Sequence, residues 1–156
     1  MKQLLVFFFL VGICTTGISQ ESSELNWLYN LDEAKEISKA EKKPILIYFT
    51  GSDWCTPCKA LKTDFFATEA FAERSNNMVL VMIDYPRRMD IITEEQRAYN
   101  KTIMAKYNKN GSFPLMVMTN SKGKALGELS GYSSFSTYKD TSHHFDFLDQ
   151  HLVGYN

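Results

Sequence analysis

The sequence predicts a single α/β domain, with a central mixed β-sheet of about four strands and helices on both faces. Two short runs, ILIYF at 45–49 and MVLVMID at 78–84, are continuously apolar, which is typical of strands buried on both faces of a sheet. Segments with helical periodicity alternate with these runs along the chain. Because elements that alternate in this way pack as helices on a sheet, and because 156 residues suit one domain, we expect a single layered unit.

The first 19 residues predict a secretory signal peptide. Lys2 is the only charged residue in this stretch, and it precedes the apolar run LLVFFFLVGI and the small or polar residues TTGIS. We expect cleavage before Gln20, since the apolar run is too short to span a bilayer. The protein is then exported, and periplasmic if its source has an outer membrane. The alternative is a lipoprotein anchored at Cys14, although Ile13 is bulkier than the residue lipoproteins usually carry there.

After a polar leader at 20–29, the predicted domain covers residues 30–152. Capping residues and apolar residues three or four positions apart indicate its helices. Asn30 caps a helix over 31–43, and Thr93 opens a T-x-x-Q capping box. The remaining helical segments are marked by Cys55, Cys58, Leu61 and Phe65, by Thr68 to Phe71, by Tyr99, Ile103 and Tyr107, and by Phe145, Leu148 and Leu152.

Two further strands complete the predicted sheet. LMVMT at 115–119 and KALGELS at 124–130 flank the turn NSKG, so we expect them to form a hairpin. Helices lie between the first three strands, and we therefore expect right-handed crossovers and parallel pairing there.

The formal net charge is −1, so basic residues do not outnumber acidic ones. Nucleic acid and anionic membrane surfaces are therefore not expected partners, because both require clustered positive charge.

Of the three cysteines, only Cys55 and Cys58 remain in the domain, as the sequence DWCTPCK. They are candidates for a zinc site, a structural disulfide or a redox pair. A structural zinc site needs four ligands. The available imidazoles lie in a distant C-terminal element, and we interpret the adjacent His143 and His144 as a solvated surface pair. We expect no metal site.

A disulfide closing so short a loop contributes little stability, which disfavours the structural interpretation. Cys55 is expected in the first turn of a helix, where unpaired N–H groups and the helix dipole stabilise a thiolate. Pro57 fits the same turn, since it gives up an N–H that the helix does not use there. These arguments favour a redox pair, with Cys55 the exposed nucleophile and Cys58 the buried resolving thiol.

WCTPCK after an apolar strand, followed downstream by Phe113-Pro114, resembles the thioredoxin superfamily. FTGSDWC, VMIDYPRR and KYxxxGSFP narrow the resemblance to exported thioredoxin-like domains of bacterial envelopes, over roughly residues 30–152. The resemblance implies a thioredoxin fold in which Trp54 flanks the nucleophile and Pro114 is a cis-proline facing the cysteines. The backbone of Phe113 then pairs with an extended substrate strand.

The sequence departs from this family in its charged residues. Thioredoxins carry a buried aspartate on the strand before the motif, whereas ILIYF offers only Tyr48, a poor base with an ordinary pKa of about 10. The group that takes the proton from Cys58 therefore stays open between water, Tyr48 and the other sulfur. Asp53 is expected to serve the helix start. Arg87 and Arg88 either read an acidic partner or belong to a solvated loop.

The combined interpretation is an exported thiol–disulfide oxidoreductase that acts on disulfide- or dithiol-containing exported proteins. The Thr-Pro dipeptide between the cysteines resembles the Gly-Pro of thioredoxins and favours the reductase direction. We expect a monomer without metal or organic cofactor, supplied with electrons by a membrane thiol relay. The alternative is a thioredoxin-fold binding or chaperone-like module whose disulfide is idle.

Overall fold

The computed structural model describes residues 25–133, 139–153 and 155. The expected signal peptide, its cleavage site and Cys14 lie outside these residues, as does the first half of the leader. Within the described ranges, no helix is both long and apolar enough to cross a bilayer.

A five-stranded mixed sheet forms the centre of the domain, in the spatial order β1-β3-β2-β4-β5. Its central strands β2 and β3 are parallel and almost completely buried, as their apolar sequences predicted. The strands are β1 Trp27–Leu28, β2 Ile45–Thr50, β3 Val79–Asp84, β4 Leu115–Thr119 and β5 Ala125–Ser130. The α/β class with a central mixed sheet is confirmed.

Two expectations about the sheet are corrected. The strand β1 lies in the segment expected to be a leader, and its two residues are too few to give a strand pattern in the sequence. β4 is antiparallel to β2, not parallel: Leu115 pairs with Phe49, so β4 begins at the edge where β2 ends. An alternation of helices and strands does not by itself fix strand direction, because the crossover rule applies only to pairs that are already parallel. The expected β4–β5 hairpin is confirmed.

Five α-helices flank the sheet in the described part of the chain, and α1 and α4 begin at the predicted caps. The side chain of Asn30 accepts hydrogen bonds from the first turn of α1, and that of Thr93 accepts one from Gln96 in α4. α1 ends two residues earlier than predicted, because Lys42 adopts a left-handed conformation with φ of 54°. The helices are α1 Leu31–Glu41, α2 Thr56–Leu61, α3 Glu69–Ser75, α4 Glu94–Tyr107 and α5 Ser142–Leu152.

Apolar side chains fill both faces of the sheet. One face packs against α1 and α4, through alternate residues of β2 and β3 such as Ile47 and Val81. The other face is covered by aromatic residues from α3, α5 and a π-helical turn, Lys62–Phe66, that directly continues α2. The wider turn directs both Phe65 and Phe66 inward, and both are buried. The helix that carries the cysteines is thereby anchored in the core.

Candidate active site

The two cysteines lie at the start of α2, directly after the turn that leaves β2, and they form a disulfide. Cys55 is the N-cap residue, and its Sγ accepts a hydrogen bond from the backbone N–H of Cys58 at 3.2 Å. Pro57 lies in the first helical turn, where backbone N–H groups have no helical partner. The placement of the pair at a helix start, predicted from the sequence, is confirmed.

The turn before the disulfide depends on Gly51. Its carbonyl accepts hydrogen bonds from the backbone N–H groups of Trp54 at 3.1 Å and Cys55 at 2.8 Å. A Cβ atom at residue 51 would lie 2.3 Å from the Trp54 ring. Glycine at this position therefore allows the indole to lie against the turn.

The expectation that Cys55 is more exposed than Cys58 is wrong for this disulfide form. Each residue is only 2% exposed. The reason is geometric: the disulfide closes within one helical turn, so the Cys55 sulfur faces the first turn of the helix rather than solvent.

In the reduced protein, we expect Cys55 to react with an alkylating agent at lower pH than Cys58. The N–H group that meets its sulfur in the disulfide is available to stabilise a thiolate, as is the positive end of the helix dipole. Alkylation followed over a range of pH should give a midpoint for Cys55 below 8, against an ordinary cysteine pKa of about 8.5. Mass spectrometry of peptides identifies the modified residue, and preferential alkylation of Cys58 would reverse the assignment.

The aromatic rings of Trp54, which precedes Cys55 in the chain, and Phe113, which precedes Pro114, pack against each other. Their rings meet edge to face, with centroids 5.2 Å apart, and the indole N–H of Trp54 donates to the carbonyl of Tyr85 at 2.9 Å. Both side chains are partly exposed. The structure thus brings together the flanking tryptophan and the residue expected to receive substrate backbone.

The peptide bond between Phe113 and Pro114 is cis, as the resemblance implied. The carbonyl of Pro114 accepts a hydrogen bond from Gly131, which joins this segment to the end of β5. Among the described residues, neither the N–H nor the carbonyl of Phe113 has a hydrogen-bond partner. These two groups are therefore available to an extended peptide.

Tyr48 lies beneath the helix start, 2% exposed, and its hydroxyl donates to the carbonyl of Cys58 at 3.3 Å. Burial raises the pKa of Tyr48 to about 12, because the apolar surroundings disfavour the phenolate. Even less of Tyr48 is therefore ionised near neutrality than its ordinary pKa implies, so it does not accept the proton there, and its hydroxyl bonds the backbone of the motif.

Asp84 is a buried carboxylate that sequence reasoning missed. It ends β3 opposite Thr50, and its oxygens accept from the backbone N–H of Ser52 at 2.9 Å and the hydroxyl at 2.6 Å. Its backbone carbonyl also accepts from the buried Asn100 of α4. The available signal was a single acidic residue at the end of an otherwise apolar strand. Asp84 positions the turn that precedes the cysteines.

The expectation that Asp53 serves the start of α2 is wrong, because Cys55 itself caps that helix. The carboxylate of Asp53 instead accepts from the backbone N–H of Arg87 at 3.0 Å and of Arg88 at 2.9 Å. Partial desolvation opposes ionisation of Asp53, but these N–H groups and the charge of Arg87 outweigh it and lower its pKa. Asp53 therefore joins the turn that precedes Cys55 to the predicted loop that follows β3.

The histidine pair is not the solvated pair that the sequence indicated. His143 is exposed, whereas His144 is buried against Phe65 and Tyr132, and desolvation lowers its pKa. In the part of the chain that the structure describes, no three His, Cys, Asp or Glu side chains are arranged to hold a metal ion.

Comparison with known proteins places this geometry in context. A family model described as thioredoxin-like matches residues 26–121. The disulfide bond reductase DsbH of Chlamydia pneumoniae is 33% identical over 109 residues, which cover 69% of this chain and 64% of the relative. The thiol:disulfide interchange protein DsbD of Campylobacter jejuni is 27% identical over 110 residues, or 70% of this chain and 18% of the relative. The chain thus spans less than two thirds of these relatives' length.

A solved structure of a DsbH oxidoreductase superposes with a TM-score of 0.69 at 29% identity, covering 82% of this chain and 85% of the other. The expected thioredoxin fold is confirmed by this similarity together with the sheet order and the position of the disulfide.

Proposed function

Because the chain belongs to the thioredoxin-like family, we propose that it is a thiol–disulfide oxidoreductase that exchanges disulfides with proteins through Cys55 and Cys58. The observation that carries the proposal is the contact between the Cys55 sulfur and the N–H of Cys58 at the helix start. A group that accepts this bond as a disulfide sulfur accepts it more strongly as a thiolate. The names of the relatives, a disulfide bond reductase and a thiol:disulfide interchange protein, support the same chemistry.

The reaction consists of two exchanges. The Cys55 thiolate attacks one sulfur of a substrate disulfide, whose S–S bond breaks as a mixed disulfide forms and the other substrate sulfur leaves as a thiolate and takes up a proton. The Cys58 thiolate, having given up its own proton, then attacks the Cys55 sulfur. The Cys55–Cys58 disulfide forms, the second substrate thiol is released, and two electrons have passed to the substrate.

The geometry around the disulfide supports a peptide substrate. The N–H and carbonyl of Phe113, which have no partner among the described residues, offer an extended chain two backbone hydrogen bonds, in the manner of strand addition to a sheet edge. The packed rings of Trp54 and Phe113 supply apolar surface next to these two groups. No metal or organic cofactor is required, since the sulfur atoms carry the electrons.

The direction we propose is reduction of the substrate. Potentials in this superfamily run from about −270 to −120 mV, and the Thr-Pro dipeptide between the cysteines favours the reducing end. Repeated turnover then needs an electron donor, which we propose is a membrane thiol relay. We further propose that the protein is exported as a monomer and acts on exported proteins that contain disulfides.

Insulin reduction tests the proposal. With dithiothreitol as the electron source, the wild-type protein should accelerate the appearance of turbidity from the separated insulin chains, and Cys55→Ser should not accelerate it above the rate with dithiothreitol alone. Equal rates for the two proteins would contradict the proposal and favour a binding module whose disulfide is idle. If the wild-type protein does not accelerate the appearance of turbidity and instead keeps the separated insulin chains in solution, that result would indicate such binding directly.

A further inference from the structure

The loop after β3 is bonded to the turn that leads into the cysteines. Asp53 accepts from two of its backbone N–H groups, and the indole of Trp54 donates to the carbonyl of Tyr85. Arg97 of α4, a second residue that sequence reasoning missed, donates to the carbonyls of Pro86 at 2.7 Å and Arg88 at 2.8 Å. Because the backbone is held from two sides, the side chains of this loop start from fixed positions.

The loop places the guanidinium of Arg87 over the face of Trp54, 4.8 Å from the ring centroid. The two side chains line one pocket of about 400 Å³, together with Tyr85, Pro86, Arg97, Met104 and Phe113. Trp54 precedes Cys55 in the chain, and Phe113 precedes the cis-proline. The pocket therefore adjoins the surface at which a substrate strand is expected.

Arg87 differs from the other three arginines of the chain. Arg74 is paired with Asp149, Arg88 is paired with Asp90, and the guanidinium of Arg97 is bonded to loop carbonyls. Within the described residues, the Arg87 side chain makes no hydrogen bond or ion pair, and its contact is the indole face. The nearby carboxylate of Asp53 is engaged by backbone N–H groups. Among the described residues, the guanidinium fork of Arg87 is thus stacked on the indole with its donors unpaired.

We propose that Arg87, stacked on Trp54, forms a subsite for an acidic side chain of the substrate, an Asp or Glu within about three residues of the reacting cysteine. The inference rests on the proposed function and names its substrate class. A guanidinium matches a carboxylate in geometry and charge, and stacking on an indole fixes its orientation. Three residues of extended peptide span about 10 Å, enough to reach from the disulfide into an adjoining pocket.

Peptide substrates test the subsite. Seven-residue peptides with a central cysteine, prepared as disulfide dimers, carry either Glu or Gln at one position between −3 and +3. Single-turnover reduction by the reduced protein is followed by acid quench and mass spectrometry, and each Glu/Gln rate ratio is divided by the ratio measured with dithiothreitol alone. For wild type we expect a ratio of about five to ten at one position, and a smaller ratio in 0.5 M salt.

Variants of Arg87 and Arg88 show which side chain causes the preference for Glu. In Arg87→Gln, the ratio at that position should fall below about two, and Arg87→Lys should give an intermediate value because it keeps the charge and loses the planar fork. The matched control is Arg88→Gln, which removes the neighbouring guanidinium that is already paired with Asp90 and should keep the wild-type ratio. Each Glu/Gln rate ratio compares two peptides on the same variant. A general change in the reactivity of that variant therefore does not alter the ratio.

Three results would overturn the inference. A wild-type protein that reduces all peptides with Glu/Gln ratios below two, or a preference that survives in Arg87→Gln, would show that this subsite does not exist, while leaving the oxidoreductase function intact. A wild-type protein no faster than Cys55→Ser on every peptide would instead overturn the proposed function and the inference with it.

Discussion

At pH 6 the wild-type protein should accumulate its mixed disulfide with a substrate peptide, and at pH 8.5 it should accumulate far less. Cys58 is 2% exposed, so apolar surroundings disfavour the thiolate that must attack to resolve the intermediate. Tyr48, whose hydroxyl contacts the Cys58 backbone, has a pKa of about 12 and does not take the proton near neutrality. Even with the ordinary cysteine pKa of about 8.5, the thiolate fraction rises about 150-fold between pH 6 and 8.5.

Rapid acid quench followed by intact-mass measurement counts the intermediate. Tyr48→Asp places a carboxylate on the strand where thioredoxins carry one, and it should reduce accumulation at pH 6. The matched control is Tyr48→Phe, which removes only the hydroxyl and should leave accumulation at pH 6 within about twofold of wild type, since a group with a pKa of about 12 is not the base.

Equal amounts of mixed disulfide at pH 6 and pH 8.5 in the wild type would contradict this expectation and mean that another group deprotonates Cys58. Asp84 is then the first candidate, because it is a buried carboxylate that bonds Ser52 in the turn leading to the cysteines. Asp84→Asn would identify it by restoring accumulation at low pH.

Replacing Phe65 with alanine should lower the free energy of unfolding by about 3–5 kcal/mol. Phe65 is completely buried in the π-helical turn, and its ring lies 4.7 to 5.3 Å, between centroids, from the four neighbouring rings of Phe66, Phe71, His144 and Phe145. The substitution removes the transfer free energy of the ring and leaves a cavity between α2, α3 and α5. Denaturant unfolding followed by circular dichroism measures the loss.

The control for this substitution is Tyr29→Ala, which removes an aromatic side chain that is 53% exposed and should change stability by less than about 0.5 kcal/mol. A loss below about 1.5 kcal/mol for Phe65→Ala would mean that the aromatic cluster repacks around the cavity. In that case the helix that carries the cysteines is not anchored by this ring.

Local patterns were sufficient for most elements of the fold. The capping positions of Asn30 and Thr93 and the buried strand MVLVMID were predicted correctly, because each depends on residues within a few positions of one another. The same is true of Cys55 at a helix start, which follows from a turn, a helical stripe and Pro57 in close succession. The interactions that produce each of these features lie within one segment of the chain.

The direction of β4, the strand β1 and the burial of Cys55 were not predictable in this way. The direction of β4 depends on which edge of the sheet Leu115 reaches, and two residues of β1 have no periodicity to read. The burial of Cys55 depends on the sulfur turning inward to bond with Cys58. Each is decided by where a segment meets the rest of the domain.

The sequence by itself determined that the cysteine pair lies at a helix start, and its resemblance to thioredoxins implied the cis peptide bond before Pro114. Only the tertiary structure decided which groups the charged residues around the cysteine motif bind. Asp53 bonds the loop 34 positions away, and Asp84 bonds the turn 32 positions away. A charged side chain finds a partner anywhere the fold brings a donor within reach, whereas a helix cap or an apolar stripe is confined to its own segment. Arg87 is an example: within the described residues its side chain makes no hydrogen bond and stacks on Trp54, in a loop whose backbone Asp53 and Arg97 bond.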